Sequence, residues 1–502
     1  MLWRRLDRFI DLVTRAKRRD QTVLVALAGY LFVWTLYGII AKSGQDLHPD
    51  MTELIAWSRD LALGFPKHPP FAAIVVRGWF AFFPIDDWAY YLLAMLTTTT
   101  ALWIAWHLYA EYLPPTKRVV GLCLLTFIPF FNFHALKFNV NTVLMPLWAV
   151  TTFWFLRSYR SGNPVYAALA GFGAALCILC KYWSIFLLLG LAVAALLDKR
   201  RRAYLRSSAP WITILVGMVV ISPHVGWLVN HNFSPMEYAM LVHGGHSFAD
   251  ALWAALRYYV DAVTYAAVPL AIVLLITRPS LSTILEIAWP ADRDRRLVAV
   301  AFGATTIWLP IMAALFWHVE VNAVWTMSSW TLLPVVLLSS QSVRMPRNAV
   351  RWVVGFAVAL PVILLPAAPG VALATAKWGN LLPARTQTRM LAEKVEVAWH
   401  AVTPKALSYV GGNADLAYGV VTYAHDRPRG LPGLPDQPPA MLIMRGVALV
   451  CEASDDGCKT KSDQIARQNP ASRATDIELV RNYFGISGQP ERYRIFVIPP
   501  FP

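Results

Sequence analysis

Apolar runs of about 20 residues, long enough to cross ~30 Å of hydrocarbon as helices, recur along the chain between short polar segments. They predict about eleven spans, at residues 22–41, 86–109, 118–134, 143–158, 165–180, 182–197, 209–229, 257–277, 297–317, 325–341 and 351–369. Residues 70–84 read as a further interfacial or re-entrant segment. From about Lys377 the pattern changes. TRMLAEKVEVAWHAV has a helical pattern, and the short runs ALSYVGG, YGVVTYA, AMLIMRGVALVC and YRIFVIPP alternate as strands do. Pro/Gly-rich stretches such as DRPRGLPGLPDQPP separate them. The fold class expected is therefore mainly α, a polytopic helical membrane domain followed by a small α/β domain outside the membrane.

Basic residues test the span count, because Lys and Arg concentrate in cytoplasmic loops. They fall in alternate loops: Arg4 to Arg19, Lys117–Arg118, Arg157–Arg160, Lys199–Arg202, Arg278–Arg296 and Arg344–Arg351. With eleven spans all of these lie on one side, which places the N terminus in the cytoplasm and the C terminus outside. Residues 1–21 then form a cytoplasmic basic amphipathic segment rather than a cleavable signal peptide. Residues 22–370 form the membrane domain, with an external loop at 43–85, and 377–502 an extracytoplasmic domain. Composition agrees: 57% of residues are hydrophobic and 15% charged, and mean hydropathy is +0.46. The net charge of +15 sits in these short loops, so it marks topology and not a nucleic-acid partner. Cys123, Cys177 and Cys180 fall in spans, whereas Cys451 and Cys458 are spaced for a short disulfide in an oxidising compartment.

The other set of loops carries His, Asn, Asp, Glu and aromatic residues instead. Ser43 to Pro70 is the densest, with Asp46, His48, Asp50, Glu53, Lys67 and His68. Asp50 after Pro49, with Glu53 three residues on, has the form of a helix N-cap and capping box. A carboxylate at a helix N-terminus is also kept ionised, as a general base must be. The two readings are compatible. Lys137, Asn139 and Asn141 lie in a second external loop, Lys181 and Tyr182 in a third, and Asn230 and His231 in a fourth. Each has a plain alternative: turn positions for the asparagines, a snorkelling Lys181 and interfacial packing for His231. His243, His246, His318 and Glu320 match no zinc spacing, so no metal site is expected. No Walker or Rossmann glycine pattern is present.

Asp50 to Trp57–Ser58, then LALGF and His68-Pro69-Pro70, resembles the first external loop of bacterial GT-C glycosyltransferases of the family-39 type, relatives of protein O-mannosyltransferases and of the aminoarabinose transferase acting on lipid A. PFFNFHALKFNVNTVLMPLW, CKYWSIFLL and WLVNHNF around Trp227 resemble later segments of that family, in order. The resemblance covers about residues 20–370 and implies a GT-C-type membrane domain. It also implies Asp50 as the base that deprotonates the acceptor hydroxyl, with Glu53, Lys67, His68, Lys137, Asn139, Asn141, Lys181, Tyr182, Asn230 and His231 as substrate-binding residues. Two acids of the family pattern are absent: Met51 follows Asp50, and Asn141 stands seven residues before Trp148.

The expected activity is an inverting transfer of a sugar from a polyprenyl-phosphate donor to a glycolipid, lipopolysaccharide or protein hydroxyl, on the periplasmic face of a bacterial inner membrane. No cofactor is required, although a divalent cation could assist. A lipid or polysaccharide flippase is the competing class, and a catalytically dead binding homologue is another. Flippases often carry internal repeats and ionisable groups at the bilayer midplane. Here the polar groups sit at the span edges and no repeat is evident.

Overall fold

The structure is a computed structural model describing residues 2–15, 17–379, 387–431 and 444–500. It is mainly helical and divides into two compact units. The first comprises residues 1–35, 63–71 and 92–364; the second comprises 36–62, 72–91 and 365–502.

Each expected span coincides with helix, but not each is a full-length helix. Among the described residues, five helices are long and apolar enough to cross a membrane: Arg19–Ala41, Asp87–Tyr109, Ala209–Asn230, Arg293–Trp317 and Arg347–Trp378. Phe248–Tyr265 and Ala267–Thr277 together make a sixth, bent by 58°. Pro164–Cys180, Tyr182–Leu197 and Ser329–Leu338 are shorter apolar helices, as is Phe71–Phe80 within the expected interfacial segment. The chain is thus multi-pass. Helix length and composition support five or six of the eleven spans; most of the others are helices shorter than 18 residues or broken by 3₁₀ turns, and Val140–Ser161, though long, is not apolar enough to count.

In the first unit, one end of the helix assembly is knitted by the basic clusters. Arg351 and Arg347 of the last long helix pair with Asp7 of the amphipathic helix Leu2–Thr14, and the Arg351 guanidinium holds the Asp7 carboxyl below its usual range. Arg118 is buried, lies 3.5 Å over the Trp106 ring and reaches Asp20 at 3.6 Å. Lys117 Nζ donates to Ser340 O at 2.6 Å, and Arg200 bridges Asp198 and Asp294 at 2.9 and 2.7 Å. Glu111 takes both Arg157 and Arg160. Loops far apart in sequence therefore share one end, as the alternation of charge requires.

The second unit contains a five-stranded sheet, ordered β2-β1-β3-β7-β4. Its strands are β1 Tyr409–Gly412, β2 Arg429–Gly430, β3 Val447–Glu452, β4 Arg473–Leu479 and β7 Glu491–Ile498. A two-stranded ribbon, β5 Asn482–Tyr483 and β6 Ile486–Ser487, lies apart. β1 runs parallel to β2 and β3, and β7 is antiparallel to β3 and β4. The helix Thr388–His400 forms as expected. Its Leu391, Val395 and Trp399 pack with Val410, Val450 and Ile495 into the core. YGVVTYA is a correction: it is the end of the helix Ala414–Tyr423, capped by the Asn413 side chain. Its run of apolar residues is buried on nearly every side, which removes the periodicity that separates helix from strand. β4 was missed because it is exposed along most of its length, which leaves no alternation of apolar residues to read. Residues 440–443 of the run AMLIMRGVALVC, and 432–439 of the Pro/Gly-rich stretch, lie outside the described residues. Cys451 of β3 and Cys458 of the helix Asp456–Ala466 form the expected disulfide.

Candidate functional site

Five loop segments of the first unit meet at the end opposite its basic clusters. The helix Val140–Ser161 starts here. Asn139 caps it by accepting from Asn141 N at 2.9 Å, while Thr142 Oγ1 accepts from Asn139 N at 3.4 Å, a reciprocal capping box. The turn-position reading of Asn139 is therefore realised. Asn141 is different: its side chain points away from the cap and accepts from Lys181 Nζ at 2.8 Å. Lys181 ends the helix Pro164–Cys180 in extended backbone, is only 9% exposed, and lies 4.8 Å from the Trp325 ring centroid. A lysine that snorkels would keep its ammonium in water. This one is held inside by an amide and an indole face.

Trp325 joins further groups. The His243 ring meets it edge-on at 5.0 Å, and Trp183 does so at 5.1 Å. His243 O accepts from Glu320 N at 2.7 Å, which ties the 317–330 segment to the end of the helix Ser234–His243. Burial pushes the His243 imidazole below its ordinary pKa. The Glu320 charge opposes that shift, whereas Lys181, His246 and Lys67 reinforce it. Lys67 and Lys181, 114 positions apart in the numbering, thus act on one imidazole.

The Leu63–Phe71 segment is held by His224. Its Nδ1 lies 2.6 Å from Leu63 O, and its Nε2 lies 3.0 Å from Tyr182 Oη. A carbonyl can only accept, so Nδ1 carries the proton and Nε2 accepts from the tyrosine hydroxyl. Gly64 lies against Trp227 so closely that a Cβ would overlap the indole. The loop closes on itself through Phe65 N donating to His68 O at 3.0 Å. His68 and Lys67 are half-buried beyond this turn.

Sequence reasoning missed His224, Trp227, His243 and Trp325 as members of the site. The signal for His224 was available, since an ionisable residue within an apolar span carries a function by default. Asn230 and His231, which it did select, are exposed. His231 turns back to donate to Trp227 O at 2.8 Å and stacks on that ring at 4.2 Å. Lys137 is half-buried in the second loop.

Asp50 and Glu53 belong to the second unit. The helix here is Pro49–Arg59, and its N-cap is His48, whose Nδ1 accepts from Asp50 N at 3.1 Å. This corrects the expected capping box. Pro49 takes the first helical position, where its missing N–H costs nothing, and that shifts Asp50 inside the first turn. Its carboxyl sits at the positive end of the helix and is 29% exposed, 3.9 Å from His48 Nδ1. Glu53 is half-buried one turn on. Met51, in the place of the family's second acid, is buried, and its carbonyl accepts from Tyr90 Oη at 3.1 Å.

The stretch leading to Asp50 is clamped within the same unit. Asp46, 1% exposed, accepts from Arg481 Nη1 at 2.8 Å and from Arg389 N at 3.0 Å. Tyr423 Oη accepts from Leu47 N at 2.9 Å and donates to Asp87 at 3.2 Å; Arg389 also reaches Asp87 at 3.2 Å. Burial drives the Tyr423 hydroxyl far above its ordinary pKa, and the Asp87 and Asp46 charges add to this. The hydroxyl is therefore a fixed neutral donor. Among the described residues, no group of three or more His, Cys, Asp or Glu is placed to hold a metal ion.

A multi-helix membrane unit with polar loops at one end, joined to a small mixed α/β domain, is the architecture of GT-C enzymes. Residues 67–227 match the family described as dolichyl-phosphate-mannose-protein mannosyltransferase. Over 223 residues the chain is 28% identical to the lipopolysaccharide core galacturonosyltransferase RgtB of Rhizobium johnstonii, a match covering 43% of this chain and 44% of that protein. The chain thus matches less than half the length of this relative. Two crystal structures of ArnT from Cupriavidus metallidurans share the fold. The one bound to undecaprenyl phosphate has a TM-score of 0.58 at 11% identity, over 94% of this chain and 97% of that one. The apo form has a TM-score of 0.55 at 12% identity, over 95% and 97%. The chain has the GT-C fold of the protein-mannosyltransferase and ArnT type, as its loop motifs implied.

Proposed function

We propose that this protein is an inverting glycosyltransferase. It moves a sugar from a polyprenyl-phosphate carrier to a hydroxyl of an envelope acceptor, either a glycolipid such as lipopolysaccharide or a protein, on the periplasmic face of a bacterial inner membrane. The observation that carries this reading is the buried Lys181, held by Asn141 and by the Trp325 ring that His243 also meets, at the end opposite the basic clusters. A phosphate leaving group needs cations aimed at it where charge develops, in a site that excludes water. Lys181, buried and shielded by Trp325, and the half-buried Lys67 supply that. Basic clusters mark the cytoplasmic side, so the lysines face the periplasm. The Cys451–Cys458 disulfide suits an oxidising compartment.

Asp50 takes the proton of the acceptor hydroxyl as its oxygen bonds to the anomeric carbon. The bond from that carbon to the phosphate oxygen breaks, and its electron pair leaves on the phosphate. One carboxylate suffices for a single displacement. Met51 and Asn141 in the two acid positions are compatible with such chemistry. No cofactor is required; whether a divalent cation assists is read by adding a chelator.

The test uses the purified full chain in nanodiscs, with polyprenyl-phosphate sugars including a galacturonosyl donor, and a cell-envelope extract as acceptor. Wild type transfers label, and Asp50→Asn retains its donor affinity but loses transfer by about 10²–10⁴-fold, the contribution of a positioned base. Undiminished transfer by Asp50→Asn overturns the base assignment. Donor moved across the bilayer without being consumed assigns a flippase instead.

A further inference from the structure

The first unit contains a cavity away from the polar loops. A groove of 540 Å³ runs between the helices Val140–Ser161, Pro164–Cys180, Ile185–Leu197 and Ala209–Asn230. Its volume lies in the range of small-molecule sites. Ala174, Ala192, Ile178 and Met218 typify the wall, which is apolar except for Thr151, Thr213 and one end. At that end stand Arg201, Tyr204 and Leu205 of the short helix Arg201–Arg206.

Length and charge decide what fits. Along the helix Ala209–Asn230 the lining extends from Pro210 to Ile221, about 16 Å at 1.5 Å per residue. That is one leaflet of a ~30 Å hydrocarbon core, so the groove takes one acyl chain entering from the basic side. Lys199, Arg201, Arg202 and Arg206 are at least partly exposed around its mouth. Arg201 gives one N–H to Leu196 O at 3.0 Å. Among the described residues none of Arg201, Arg202 and Arg206 pairs with a carboxylate, unlike Arg200, which is consumed by Asp198 and Asp294. Unpaired guanidiniums over an apolar slot are complementary to a lipid phosphate, and basic pockets between spanning helices favour anionic headgroups.

We propose that this groove is a binding site for an anionic diacyl phospholipid, with one acyl chain in the slot and the phosphate on Arg201 and Arg202. A carrier seated at the polar loops would present its phosphate at the other end, so the two lipids occupy separate sites.

The full chain, purified in detergent, is offered an equimolar mixture of dioleoyl phosphatidylglycerol and phosphatidylcholine, and retained lipid is counted by native mass spectrometry. Wild type retains one phosphatidylglycerol in preference to phosphatidylcholine. Arg201→Gln combined with Arg202→Gln reduces that retention about thirty-fold, from roughly five-fold per basic residue at a membrane surface. Ala192→Phe fills the slot from its exposed side and removes retention of either lipid. Equal retention of the two lipids by wild type, or unchanged retention in both variants, overturns the proposal. So does displacement of phosphatidylglycerol by undecaprenyl phosphate, which would make the groove a carrier site. Because the readout is lipid retention, the outcome is independent of glycosyl transfer.

Discussion

Arg481 Nη1 donates to Asp46 Oδ1 at 2.8 Å, joining residues 435 positions apart. Asp46 lies four residues before Asp50, so a residue just before β5 holds the backbone that delivers the proposed base. Asp46 is buried and Arg481 is 20% exposed. Removing one partner of a buried pair strands the other at about 3–5 kcal/mol. Arg481→Met is therefore expected to lower the thermal unfolding midpoint and turnover together, and Asp46→Asn combined with Arg481→Met to recover part of both. An Arg481→Met protein with wild-type unfolding and turnover would show that the clamp is dispensable.

Lys181 and Asn141 make a coupled pair of the same kind in the first unit. Lys181→Met leaves the Asn141 oxygen buried without its donor, at about 1–3 kcal/mol, and removes a cation from the proposed phosphate site. Donor KM is expected to rise by at least ten-fold. Asn141→Asp tests the family's missing acid: a carboxylate bonded to the ammonium neutralises it, so donor KM rises although the pair itself strengthens. Isothermal titration with undecaprenyl phosphate checks both. Unchanged affinity in both variants would remove Lys181 from the site.

Gly64 is required by a contact and not by backbone conformation. A methyl group there collides with the Trp227 indole, and overpacking of this kind costs about 1–3 kcal/mol. Gly64→Ala is expected to displace the Leu63–Phe71 segment and weaken activity through Lys67 and His68. Trp227→Leu opens space, so the double variant regains stability over Gly64→Ala alone. Double-mutant unfolding midpoints measure this; additive losses would show that the two residues do not meet.

His243 introduces a pH dependence whose sign follows from its depressed pKa. The folded state holds the imidazole neutral, and the unfolded chain protonates it near 6.5. Stability from this group is full above that value and is lost as pH falls through the lower, folded pKa. Unfolding midpoints of wild type between pH 7.5 and about 5 should fall more steeply than those of His243→Gln. Parallel curves would mean that the imidazole is not held neutral.

The GT-C fold was legible because its evidence is local. Long apolar runs, alternating basic loops and the HPP-closed external loop are each contained within a few dozen residues. Asp50 could be chosen for the same reason, since Pro49 and the acid after it announce a helix start. The cap itself was misassigned, because Pro at the first helical position hands the cap to the residue before it, here His48. The helix Ala414–Tyr423 was misread because burial on every side erases periodicity.

Residue order alone carries the apolar spans, the alternation of charge between loops and the chemical inventory of the external ones. Packing in three dimensions settles which of those groups work together. Lys181 became a buried amide-bound cation, His231 an exposed stacking residue, His224 the buried link between Leu63 and Tyr182, and Asp46 the anchor of the loop ahead of Asp50. Hydrophobic patterning is written residue by residue along the chain, so it can be read there. A hydrogen bond or ion pair between distant segments exists only once packing has brought both ends within about 3 Å.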